Sequence, residues 1–247
     1  VAAVLAVDDL ADLAGPEAGV PVDLGALLDA SPGHPGGGRV VPLPTAAPSV
    51  RGLARAASSL DSVACTALVR DSLDRRGVVW TWDNLVAPVL VGIGQQWEAT
   101  GRGVEVEHVL SESVISALTG VVARMQRPLN PRPVLLACAD EEMHSLPLFA
   151  VAAGLAERHV GSRVLGARVP RDALVGAIRR TGPAVVLLWA TMPAPEGTDR
   201  LGALPSVRPA PLVLAAGPGW VAPLPAGVSQ VDDLVDALTR ICGAVGV

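Results

Sequence analysis

Val134-Leu135-Leu136-Ala137-Cys138-Ala139-Asp140-Glu141-Glu142-Met143-His144-Ser145-Leu146-Pro147 is the stretch on which the fold turns. Its first five residues are an unbroken apolar run of strand length, and an acidic loop follows. Leu146-Pro147 then opens a helix, with proline at an early position where its missing N–H costs little. A strand, a loop and a helix in that order begin a parallel α/β sheet, and such sheets hold ligands at the C-terminal edges of their strands. His144, one of only four histidines in the chain, stands at that edge.

Downstream the pattern repeats. Residues 163–167, 184–188 and 211–215 are short apolar runs suited to buried strands, and residues 148–158, 171–180 and 231–242 have helical spacing. Alternation of this kind indicates a doubly wound parallel sheet, flavodoxin- or Rossmann-like, over residues 133–247. Upstream, three prolines within 127–133 form a stiff break. Residues 50–127 read as a helical bundle with segments at 51–59, 62–76, 81–99 and 104–125. Gly77 ends the second segment, Pro88 kinks the third, and Thr100-Gly101-Arg102-Gly103 separates it from the fourth. In the fourth, Val106, Val109, Leu110, Val114, Leu118 and Val121 share one stripe. The fold class is therefore α + α/β, a four-helix bundle followed by the sheet domain. Residues 1–49 form an N-terminal segment with a Pro/Gly-rich linker at 31–48, and 8–13 and 22–30 suit two short helices.

Half of the 247 residues are apolar, enough for a sizeable core. All 19 basic residues are arginine, which we read as a compositional bias. The net charge of −5 and the scattered arginines make the chain a poor candidate to grip DNA unaided. Three widely spaced cysteines, Cys65, Cys138 and Cys242, give no disulfide framework and point to a reducing cytoplasm. No unbroken apolar run reaches the roughly 18 residues of a membrane span. A first residue of Val1 suggests a fragment or a processed form.

Two sets of residues carry candidate chemistry. Trp97-x9-Glu107-His108 straddles the turn between the third and fourth helices, so the three side chains belong at one end of the bundle. They can border a cleft there, or Trp97 can be core and Glu107-His108 a solvated helix start. Glu142 stands two residues before His144, where a carboxylate can orient an imidazole and raise its basicity as a metal ligand. The alternative is an acidic loop that only caps the next helix. A conventional zinc site lacks further ligands at suitable spacing. One imidazole suffices when the metal arrives held by a macrocycle, which makes a corrin a better fit than a bare ion. No serine elbow, phosphate-cradling glycine loop or paired carboxylates mark an enzyme acting alone.

The bundle, the sheet domain, Trp97-x9-Glu107-His108 and Glu142-x-His144 together resemble the cobalamin-binding module of CarH-type MerR-family regulators, light-responsive repressors that use adenosylcobalamin. The resemblance covers residues 50–247. It implies that His144 is the lower axial ligand of the cobalt, that Trp97 covers the upper face by the adenosyl group, and that Glu107 and His108 border that pocket. It also implies a channel for the nucleotide tail of cobalamin, lined by Trp189-Ala190-Thr191 and Gly217-Pro218-Gly219-Trp220. Gly217 and Gly219 would there let a ligand lie against backbone.

Four positions depart from the family pattern. Pro147 replaces a glycine after the histidine, Trp189 replaces a small serine, Pro218 splits a double glycine, and Glu98 replaces the histidine that takes the upper cobalt position after photolysis. Residues 1–30 contain no arginine or lysine and so lack the makings of a winged helix-turn-helix; residues 7–21 faintly resemble the closing helices of such a domain, a degenerate remnant, and an unrelated leader segment is the alternative. The expectation is thus a cobalamin sensor, not an enzyme, forming a homo-oligomer and meeting DNA only through a region not evident in this chain. A corrinoid carrier module of a cobalamin-dependent methyltransferase system is the alternative, and a degenerate protein-interaction module is a third.

Overall fold

A computed structural model describes residues 47–193, 201–205 and 207–247. The two short helices expected before residue 31, and all but the end of the linker, lie outside them. Two compact units are present, one reaching Ala117 and the other starting at Leu118.

The first unit is helical: α1 (Pro48–Ser58), α2 (Ser62–Thr81), α3 (Ala87–Thr100) and α4 (Val104–Arg124) as far as Ala117. Asp61 starts α2 by accepting the Ala64 N–H at 2.9 Å, a cap worth about 1 kcal/mol. Gly77 departs from helical geometry, at φ 78° and ψ 175°, as the sequence suggests, but the helix resumes at once. A π-helical turn, Trp82–Val86, then joins α2 to α3, with Pro88 in the first turn of α3. A proline ring clashes with the carbonyl four residues back, and a widened turn relieves that clash, so the expected kink is taken up before Pro88. Leu53, Val69, Ile93, Leu110 and Val114 are among the buried residues of this unit. On α4, Leu110, Val114, Leu118 and Val121 are buried as the stripe requires, whereas Val106 and Val109 are half-buried.

Residues 62–100 and 104–124 are long and apolar enough to cross a membrane by length and composition. They are so without an unbroken apolar run of that length, because isolated polar residues interrupt a run without making the whole helix polar. Most of the most apolar 18-residue stretch within the first segment is nevertheless buried inside the fold, and α4 carries Glu105, His108 and Glu112 exposed.

The second unit contains β1 (Val134–Cys138), α5 (Leu146–Glu157), β2 (Ser162–Gly166), α6 (Arg171–Thr181), β3 (Val185–Trp189), β4 (Leu212–Ala216), β5 (Val228–Val231) and α7 (Leu234–Val245). All strand pairs are parallel, in the order β2-β1-β3-β4-β5. β1 and β3 are buried throughout, as central parallel strands should be. Side chains alternate between the two faces. Leu135, Ala137, Val186, Leu188 and Ala215 pack with Leu174 and Ile178 of α6 on one face. Leu136, Cys138, Leu187 and Trp189 therefore point to the other, where α5 packs on β1 and α7 on β3.

β5 was not foreseen. Val228-Ser229-Gln230-Val231 is an edge strand with polar residues at its centre, and its apolar signal is weak for that reason. Val231 consequently ends a strand, not begins a helix, and α7 starts after Asp233, whose carboxylate accepts the Asp236 N–H at 2.7 Å. The chain leaves β1 toward β2 on one side and β3 lies on the other, so the crevice at the C-terminal ends of β1 and β3 is the topological switch point.

Candidate cofactor site

The loop after β1 lies at that switch point. It is tied down locally by Glu142 N–H to Ala139 O at 3.0 Å and across the sheet by Ala139 N–H to Trp189 O at 2.9 Å. These bonds turn the Glu142 side chain inward, where it is 5% exposed. A buried carboxylate survives only if its oxygens are matched by donors. Oε1 lies 2.6 Å from both the backbone nitrogen and Nδ1 of His144. Oε2 accepts the Thr191 N–H at 2.5 Å and the Met192 N–H at 3.3 Å. Burial pushes the carboxyl upward, but the bonds from the His144 ring, the His144 backbone and Thr191, with the His144 charge, outweigh it and hold the carboxyl at about 2.

His144 is therefore aimed by a fixed carboxylate through Nδ1, which makes Nε2 the nitrogen suited to a metal. The Cys138 thiol sits behind it, with Sγ 3.8 Å from the His144 carbonyl oxygen. Burial and the neighbouring Glu142 charge push this thiol up to about 12, so it stays protonated at neutral pH. Among the described residues no group of three or more histidines, cysteines and carboxylates could hold a bare ion. A metal brought in by a macrocycle needs one protein ligand, and the His144–Glu142 pair fits that role.

Sequence spacing gave no sign of Arg168. Its N–H donates to Glu142 O at 2.8 Å and its guanidinium to Glu141 Oε2 at 2.8 Å, so the loop after β2 braces the histidine loop. Pro147 lies in the first turn of α5, as expected.

Trp189 corrects the expectation of a loop residue. It is the last residue of β3, 1% exposed, and its indole N–H donates to Thr191 Oγ1 at 3.0 Å. Gly217 and Gly219 also have a different explanation from the one expected. A Cβ on Gly217 would run into Ala190 O and stand 3.0 Å from the Trp189 ring, and one on Gly219 would strike Met192 O. Protein backbone takes the room a side chain would need. Trp220 is buried and donates from its indole to Ala216 O at 2.8 Å.

In the helical unit, Trp97 and Glu98 are exposed in the last turns of α3. Gly101 ends that helix in left-handed geometry at φ 67°, donating to Trp97 O. Glu107 and His108 lie across the turn in α4. Their side chains approach to 3.6 Å, closer than the helical offset suggests, while Glu107 Oε1 accepts the Ser111 hydroxyl at 2.6 Å.

Comparison with known proteins agrees with this architecture. Residues 50–119 match the family model described as B12 binding domain. Over 145 residues the chain is 34% identical to the HTH-type transcriptional repressor CarH of Myxococcus xanthus, covering 57% of this chain and 46% of that protein. The chain thus spans less than half the length of this curated relative. A solved monomethylamine corrinoid protein of Methanosarcina barkeri shares the fold, with a TM-score of 0.58, 13% identity, and coverage of 77% of this chain and 95% of that one. A B12-binding helical domain followed by a doubly wound parallel sheet defines a cobalamin-binding module. Across 145 residues it is similar to the CarH repressor.

Proposed function

We propose that this chain is the cobalamin-sensing part of a transcriptional regulator, with His144 Nε2 as the lower cobalt ligand and Glu142 as the group that orients it. The Glu142–His144 pair at the switch point carries the reading. A single, carboxylate-aimed imidazole at the edge of a parallel sheet suits a macrocycle-held metal better than any bare-ion site. Adenosylcobalamin is the proposed form, and when bound it supplies a cobalt–carbon bond that light can break.

Trp97, Glu107 and His108 are assigned to the upper face of the cofactor. Glu98 stands where the resembled light sensors carry a histidine. A carboxylate cannot complete a pair of axial imidazoles, so the illuminated state here ends without that adduct. Any two-state response must come from a difference in contacts with the upper ligand, and Trp97 is the residue placed to sense it. We assign the protein to the cytoplasm in homo-oligomeric form, with DNA contacts supplied only by a region not evident in this chain.

The test is the purified chain mixed with adenosylcobalamin in darkness. We expect a retained, coloured complex that His144→Ala abolishes, and a change in spectrum and gel-filtration elution after green light. A complex indifferent to light would remove the switch and leave the binding. Selective retention of methylcobalamin, with methyl transfer to a thiol in the presence of a partner enzyme, would instead establish the carrier reading.

A further inference from the structure

Cobalamin held by a protein imidazole has lost its own nucleotide base from the lower face of the cobalt. That base, on its tether, must then find room beside the histidine that displaced it. The neighbours available on the sheet are the loops after β1, β3 and β4, and in this chain they are closed on one another. Glu142 binds the β1 loop to the β3 loop through the N–H groups of Thr191 and Met192. Ala190 binds the β3 loop to β4, donating to Ala216 O at 3.0 Å and accepting the Gly219 N–H at 2.9 Å.

The Trp189 indole seals the arrangement. It lies on the α5 and α7 side of the sheet, the side from which His144 is presented at the start of α5. It is buried among the sheet residues, with its N–H satisfied by Thr191 and its ring against Gly217. On the same side α5 and α7 approach so closely that a Cβ on Gly154 would stand 2.8 Å from Leu238 Cδ1. An indole in this position occupies volume that a small side chain at residue 189 would leave open, and moving it would break a half-buried hydrogen bond and a close-packed contact.

We propose that Trp189 makes the module selective for corrinoids with a short or absent nucleotide tail, a class represented by cobinamide, and that cobalamin binds with its tail excluded and at a cost. This deepens the cobalamin reading and rests on it. His144 serves both ligands alike; residue 189 discriminates between them.

The experiment titrates the full chain and its Trp189→Ser and Trp189→Phe variants with aquacobalamin and with aquacobinamide, followed by visible absorption. Intrinsic cobalt chemistry favours cobinamide in every variant, so the readout is the ratio of the two affinities. Trp189→Ser should shift that ratio toward cobalamin by about tenfold or more, while Trp189→Phe stays near the parent. A second measurement needs no variant: hydrogen exchange in 189–192 and 217–220 of the parent should respond equally to both corrinoids. Equal affinity of the parent for both ligands, a ratio unmoved by a folded Trp189→Ser, or an exchange change produced by cobalamin alone would overturn the selectivity. Retention of neither corrinoid would overturn the corrinoid reading itself, and the selectivity with it.

Discussion

One oxygen of Glu142 meets both the backbone N–H and the ring Nδ1 of His144 at 2.6 Å, so a single carboxylate sets the loop and the imidazole together. The other oxygen accepts two N–H groups from the loop after β3. Glu142→Gln replaces an all-acceptor group with one that must turn donors toward some of these N–H groups. We expect a loss of roughly 1–3 kcal/mol in folding stability and about 10–100-fold weaker corrinoid binding. Urea unfolding and a spectral titration measure the two effects separately. Unchanged affinity in a stable Glu142→Gln variant would show that the carboxylate is structural only.

Gly217 and Gly219 face backbone oxygens of the β3 loop at distances that exclude a Cβ, and Gly217 also adopts φ 93°. Backbone cannot swing aside as a side-chain tip can. Alanine at either position should cost more than about 2 kcal/mol. Gly176, inside α6 with nothing near its missing Cβ, is the control. Alanine there should stabilise by about 0.5–1 kcal/mol through helix propensity. Thermal melts of the three variants give the comparison, and a tolerated Gly219→Ala would contradict the closed-loop geometry.

Legibility in the sequence followed signal strength. β1 was read at its true bounds because five successive apolar residues admit few other readings, and β3 and β4 were read one residue early. β5 was missed because Ser229 and Gln230 dilute an edge strand. The Glu142–His144 pairing could be anticipated, since both partners lie in one short loop. The brace from Arg168 and the bonds to Thr191 and Met192 could not, because those residues are distant in sequence and only the sheet brings them together. The same holds for Trp189: its identity was visible, but its burial depends on the alternation of β3 against α5 and α7.

The proline-rich break before β1 also proved more than a spacer. Arg132 donates to the carbonyls of Gly182 at 2.9 Å, Pro183 at 2.6 Å and Pro209 at 2.8 Å. One planar guanidinium thereby ties the entry of β1 to the segments leading into β3 and β4. A lysine ammonium has neither the fork nor the span to repeat this. Arg132→Lys should lose most of what Arg132→Ala loses, about 1.5–3 kcal/mol, measured by chemical denaturation. Full recovery by lysine would mean that charge alone matters.

Alkaline stability offers a test in which few other groups interfere. The chain has no tyrosine, and all its basic residues are arginine, whose guanidinium keeps its proton. Above about pH 9 the thiols are therefore the main side chains left to titrate. Cys65 is fully buried; burial, then the Asp61 charge, push its thiol up to about 11 against a slight opposing effect of a backbone hydrogen bond. In that window the unfolded chain has released a proton that the folded chain still binds. Stability should hold below pH 9 and fall between about 9 and 11, by up to ~1.4 kcal/mol per pH unit for each such thiol. Cys138 adds a loss of the same sign that extends toward 12. Cys65→Ala should make the decline of the helical unit shallower, as followed by urea unfolding at pH 8 and pH 10. A Cys65→Ala chain that loses as much stability as the parent between those values would show that the thiol is not the titrating group.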